Sequence, residues 1–161
     1  MKHLKLDEVR DKMELIIKKG NLLDVKCGWI LHGCNSRGVQ GSGVALAVKK
    51  MYPEAYMHYR AEYEDKGLDL GTNNIYFVSD KLAIVNAITQ KDFGSDGKRY
   101  VSYDAIQSCF EDLNTRIEKT FILPQEIHIP FLGSGLGGGN WEIIKTIIEQ
   151  TVTYPTTVWV L

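Results

Sequence analysis

Twice in this chain an apolar run breaks into a glycine-rich stretch that opens into a segment of helical spacing, and this pattern constrains the fold more than any other feature. The first stretch is Leu31-His32-Gly33-Cys34-Asn35-Ser36-Arg37-Gly38-Val39-Gln40-Gly41-Ser42-Gly43, ahead of residues 44–50. The second is Gly133-Ser134-Gly135-Leu136-Gly137-Gly138-Gly139, ahead of residues 140–151. A strand that turns directly into a helix is the unit of α/β architecture, with helices laid on a mostly parallel or mixed sheet. Glycine lets main-chain N–H groups approach a bound group, and the first turn of a helix adds unsatisfied donors with a partial positive charge. Each stretch therefore suits an anion, and the pair suits a ligand with more than one phosphate.

Strands are expected over 13–18, 28–32, 74–78, 81–88, 126–132 and 156–161, with 74–78 and 81–88 joined tightly at Ser79-Asp80. Helices are expected over 43–51, over 54–66 after a restart at Pro53, over 102–119 with Ser102 as N-cap, and over 140–151. In the third of these, Ala105, Ile106, Cys109, Phe110, Leu113 and Ile117 recur on one inward face. Tyr52, Tyr56, Tyr59 and Tyr63 form a packed stripe on the second, and the polar segment 91–99 is a candidate mobile flap.

Length and composition fit one domain over residues 1–161, with 44% apolar and 24% charged residues. Nineteen basic against twenty acidic residues leave a net charge of -1, so no excess positive charge drives binding to polymeric nucleic acid. A phosphate-bearing small molecule needs no such excess, because backbone amides supply the field locally. Cys27, Cys34 and Cys109 are odd in number and lack a C-x-x-C pair, which argues against disulfides and structural zinc. A cytoplasmic monomer is expected, with no membrane association, because no apolar stretch reaches spanning length.

Gly133, Gly135 and Gly138 match G-x-G-x-x-G, but a dinucleotide fold needs a later strand ending in an acidic residue, and no carboxylate side chain follows Glu149. The sequence has no G-x-x-x-x-G-K-[ST], no G-x-S-x-G and no H-E-x-x-H. Any hydrolysis is thus expected to proceed without metal or cofactor. His32, Asn35, Ser36 and Arg37 gather polar groups just past a buried strand, where open α/β sheets bind ligands. Of the four histidines, His32 is the catalytic candidate by position.

Taken together, these residues resemble the macro domain, the ADP-ribose-binding fold. Gly20-Asn21-Leu22-Leu23 is similar to its G-D-[IL]-x element, His32-Gly33-Cys34-Asn35 to N-A-A-N, Gly41-Ser42-Gly43-Val44-Ala45 to G-G-G-V-A, and 133–138 to its second phosphate loop. His32, Ile88-Thr89-Gln90, the 100–103 segment and Thr157-Val158-Trp159 look like the stand-alone branch that contains ADP-ribose-1''-phosphate phosphatases. The resemblance implies a three-layer sandwich with about six strands. It places Asn21 and Leu22 at the adenine, Asn35 at the distal ribose, and Gly41, Ser42, Gly43, Val44 and Ala45 at the distal side of the diphosphate. Ser134, Gly135, Leu136, Gly137 and Gly138 would close over the phosphates, with Gln90 and Trp159 completing the ligand-binding set. The family's aspartate is replaced here by Asn21, which loses a charge-assisted bond to adenine. A related branch removes ADP-ribose from glutamate or DNA with a lysine and an aspartate, where this chain has Gln90 and Gly137.

The function so implied is hydrolysis of the terminal phosphate of ADP-ribose-1''-phosphate, with His32 as base, acid or nucleophile and Asn35 orienting the ribose. The alternatives are an ADP-ribosyl or O-acetyl-ADP-ribose ester hydrolase, and a reader of free or macromolecule-linked ADP-ribose that catalyses nothing.

Overall fold

A computed structural model of the protein describes residues 13–94, 96–133 and 137–161. Its six strands are β1 (Ile16–Lys19), β2 (Gly28–Asn35), β3 (Asn73–Phe77), β4 (Leu82–Gln90), β5 (Ile127–Ile129) and β6 (Thr156–Val160). They form one sheet in the order β1-β6-β5-β2-β4-β3. Every neighbouring pair is parallel except β3 with β4, the tight hairpin turned at Ser79-Asp80. The helices are α1 (Gly43–Met51), α2 (Pro53–Lys66), α3 (Tyr103–Glu118) and α4 (Trp141–Thr151), and a single 3-10 turn covers Leu22–Asp24.

The helices lie on both faces of the sheet. On one side α3 and α4 cover a core built from Trp29, Leu31, Val85, Ala87, Ile127 and Ile129, and all six inward residues expected of α3 are buried in that layer or at its edge. Ser102 caps α3 by accepting from Ala105 N–H at 3.1 Å, and Asn140 caps α4 by accepting from Glu142 and Ile143 N–H. On the other side α1, α2 and the 3-10 turn pack on Ile30, Ile84 and Ile88. The tyrosine stripe packs here, with Tyr59 fully buried, Tyr56 and Tyr63 against its cluster, and Tyr52 against the neighbouring cluster of Val48 and Ala55.

Three element ends differ from expectation for identifiable reasons. Strand β2 runs on to Asn35, because β4 beside it supplies partners through Ile88. Strand β5 stops at Ile129, since Pro130 has no N–H for a ladder. Strand β1 begins at Ile16 and is, among the described residues, an exposed edge paired only with β6. Helix α1 matches its expected span, yet only Val48 of its apolar residues is buried; Val44 and Met51 are exposed. The helix borders open space at its N-terminus instead of lying flat on the core.

Candidate functional site

At the carboxyl ends of β2, β4 and β5 the sheet opens into a cleft of about 850 Å³. One wall is the first glycine stretch, from Gly41 through Ala45. Ser42 sits in extended conformation at the N-cap of α1, but its hydroxyl bonds none of the first-turn amides. Unlike α3 and α4, this helix therefore leaves its first N–H groups to whatever enters the cleft.

The opposite wall comprises Pro130, Phe131, Leu132, Gly133 and Gly137. Gly133 has φ +73° and Gly138 φ +72°, conformations that favour glycine. Close backbone contacts also demand it: a Cβ on Gly137 would lie 2.7 Å from the Gly133 carbonyl oxygen, and one on Gly138 2.5 Å from that of Lys98. The Gly137 carbonyl accepts from the Tyr100 and Val101 N–H groups, tying this loop to the end of segment 91–101. Ser134, Gly135 and Leu136, expected to close over phosphates, lie outside the described residues.

Segment 91–99 roofs the cleft through Phe93 and Gly94. It is more tied down than a free flap. Arg37 donates to both Asp92 carboxylate oxygens at 3.0 Å, which holds that carboxyl below its usual range, and the Gln90 amide donates to the Asp92 carbonyl at 2.7 Å.

A register shift between Cys34 and Asn35 ends the regular pairing of β2 with β4 and brings Asn35 to the cleft, 8% exposed. Its side chain organises the next turn, with Oδ1 accepting from Arg37 and Val39 N–H and the amide donating to the Val39 carbonyl at 2.8 Å. The buried Tyr59 hydroxyl donates to the Asn35 carbonyl at 2.6 Å. Asn35 thus lines the cleft, while its polar atoms already serve the loop.

His32 differs from its expected role in position. It is fully buried, does not line the cleft, and bonds through Nε2 to Asn86 Oδ1 at 2.7 Å. Burial lowers its pKa from 6.5 to about 4, opposed by the bond to Asn86, so the ring is neutral near pH 7. Its neighbour on the same strand face, Cys34, reaches the cleft wall, but burial pushes that thiol far above its ordinary range.

Asn21, Leu22 and Trp159 gather elsewhere, alongside α1. Leu22, Trp159 and Val48 share one packed cluster, and a Cβ on Gly20 would meet the Trp159 ring at 3.0 Å. Asn21 Oδ1 caps the 3-10 turn by accepting from Leu23 N–H at 2.9 Å, and the indole N–H of Trp159 donates to His128 Nδ1 at 2.9 Å. None of the three lines the main cleft, which instead holds Asn35, the 41–45 stretch, Gln90 and Gly137.

A family model described as Macro domain matches residues 31–148. The chain belongs to the macro domain family. Among relatives, it is 33% identical over 124 residues to an uncharacterized 17.5 kDa protein of Enterobacteria phage T4, covering 74% of this chain and 77% of the phage protein. It is 27% identical to a DNA ADP-ribosyl glycohydrolase of Thermus aquaticus, across 83% of this macro domain chain but only 36% of that longer protein. It is 25% identical to an ADP-ribose 1''-phosphate phosphatase of Lodderomyces elongisporus, covering 82% and 86%. The solved macrodomain of Thermus aquaticus DarG superposes with a TM-score of 0.76 at 27% identity, over 91% of this chain and 96% of that one.

The three-layer sandwich with six strands is that of the family. The macro domain cleft also contains residues not among those expected to bind the ligand: Val39, Thr89, Phe93 and the 130–132 segment. Apolar side chains carry no motif, and Thr89, within the Ile88-Thr89-Gln90 element, has a buried hydroxyl that meets no hydrogen-bond partner among the described residues. Those residues contain no group of three or more His, Cys, Asp or Glu able to hold a metal ion, and no helix among them is long and apolar enough to cross a membrane.

Proposed function

We propose that this macro domain is a hydrolase of an ADP-ribose derivative and that it removes the terminal phosphate of ADP-ribose-1''-phosphate. The observation that carries this reading is the pairing of the uncapped α1 N-terminus with a wall whose Gly133 and Gly137 admit no side chain, across a cleft whose described lining has no Asp, Glu, Lys, Arg or His. Such a lining favours a ligand that brings its own negative charge and is held by main-chain N–H groups. The Lodderomyces elongisporus relative named as a phosphatase of this compound, 86% of which is covered, supports the same substrate.

In the reaction, water attacks the terminal phosphorus, the bond from phosphorus to the ribose 1''-oxygen breaks, and inorganic phosphate and ADP-ribose leave. Phosphoryl transfer is helped mainly by positioning and by donors aimed at the equatorial oxygens, a task for the amides at 43–45. His32 does not touch substrate in this reading. The water's proton passes by way of a phosphate oxygen of the substrate to the departing ribose 1''-oxygen, because the only titratable side chain in the described lining is the Cys34 thiol, which stays protonated. Asn35 acts by holding the turn that leads into the 41–45 stretch and by contacting the distal ribose.

The test is phosphate release from ADP-ribose-1''-phosphate. Wild type should release it, Asn35→Ala should lose most of the rate, and His32→Gln should retain it. Wild-type protein that binds ADP-ribose by calorimetry but releases no phosphate would make it a reader. Faster turnover of an O-acetyl ester or an ADP-ribosylated macromolecule would move the substrate to that class, the reading favoured by the name of the Thermus aquaticus relative.

A further inference from the structure

Between the cleft wall and α2 lies a buried run of polar side chains that the proposed chemistry does not use. Asn86, fully buried on β4, is its centre. Its amide donates to the Asn74 Oδ1 at 3.1 Å and to the Ala55 carbonyl at 3.3 Å, which leaves its own Oδ1 as an acceptor facing β2. Two N–H groups converge on that oxygen, His32 Nε2 at 2.7 Å and Gln40 Nε2 at 3.3 Å. Gln40 also donates to Cys34 Sγ at 3.5 Å.

Gln40 is the unusual member. It is 1% exposed, yet its Oε1 meets no donor among the described residues. A buried carbonyl without a partner costs free energy that an apolar side chain of similar size would avoid. What the carboxamide supplies is direction, since two N–H bonds fix an orientation that apolar contact does not. Its place in the chain shows what would be oriented. Immediately after it, Gly41, Ser42, Gly43 and Val44 are all exposed, and a Cβ on Gly43 would meet nothing within 4 Å. Immediately before it, the 35–39 turn is held by the Asn35 side chain. Gln40 is thus the last inward anchor before a stretch with little packing of its own.

We propose that Gln40 is the positioning residue of the first glycine loop: held by Asn86 and Cys34, it fixes where residues 41–45 leave the sheet and so sets the grip on the distal phosphate of the ligand. The second half of that statement rests on the ADP-ribose reading above; the first does not. His32 contributes by sharing the Asn86 acceptor, which keeps the amide turned towards Gln40.

The experiment compares wild type with Gln40→Leu, which keeps the bulk and removes both bonds. Hydrogen exchange of the free protein should show faster exchange at the 41–45 amides, with α3 and α4 unchanged and a melting temperature equal to or above wild type, because the unpaired carbonyl is gone. Calorimetry should show ADP-ribose binding weakened about tenfold, with AMP, which lacks the distal phosphate, binding as to wild type. Unchanged exchange at 41–45, or equal losses for ADP-ribose and AMP, would overturn the proposal. If wild type binds no ADP-ribose at all, the functional reading fails, and the exchange measurement alone decides whether Gln40 sets the loop.

Discussion

His32 shows how a single residue can draw attention in a sequence for one reason and matter in the fold for another. It follows Trp29-Ile30-Leu31 in a strand buried on both faces, and its partner across the parallel ladder is Asn86, another polar residue inside an apolar run. That coincidence of two polar side chains in two buried strands is the signal that would have marked a structural pair. The proximity of His32 to a glycine loop pointed to catalysis instead. Its titration has a predictable consequence. With a folded pKa of about 4 against 6.5 when unfolded, the unfolded chain takes up the proton first, so stability is full above about pH 6.5 and falls as pH drops towards 4. The loss approaches about 3 kcal/mol. Denaturant unfolding of wild type and His32→Gln, followed from pH 7 to pH 4, should show the wild type losing that much more; parallel curves would mean the histidine does not titrate as described. Asn35 was legible because it ends a strand before a glycine run, whereas Phe93 and Phe131 were not, since half-exposed aromatics in loops carry no spacing.

At the level of elements, helices α1 to α4 were legible nearly to the residue because glycine, proline, serine and asparagine mark their starts. The strands were less so: the end of β5 is set by Pro130 and that of β2 by its neighbours, which a local pattern does not record. Caps separate scaffold from site. Ser102→Ala removes a bond that α3 uses and should cost about 1 kcal/mol in chemical unfolding. Ser42→Ala removes a hydroxyl that caps nothing, so its midpoint should match wild type. A large drop for Ser42→Ala would mean that the α1 terminus is internally satisfied and not offered to a ligand. In the second glycine loop, Gly138→Ala forces a Cβ into φ +72° and against the Lys98 carbonyl. It should abolish ADP-ribose binding in calorimetry while leaving the far-ultraviolet circular dichroism of the helices intact.

For the whole molecule, the near-neutral charge and the absence of Lys or Arg from the described cleft lining give a test that would separate a small-molecule binder from a polymer binder. ADP-ribose affinity should change less than about threefold between 50 and 500 mM salt, since few counterions are released, whereas a nucleic-acid-binding surface would lose orders of magnitude. The sheet order carries a further consequence. Among the described residues strand β1 has no neighbour other than β6, and the Gly20 N–H donates to the Val160 carbonyl at 2.7 Å. Pairing Ile16 with Thr157 spans most of the described chain, so the loop-closure entropy of that edge must be met before its contacts reward it. The turn at Asn21 and the ring of Trp159 therefore come together only through that long-range pairing.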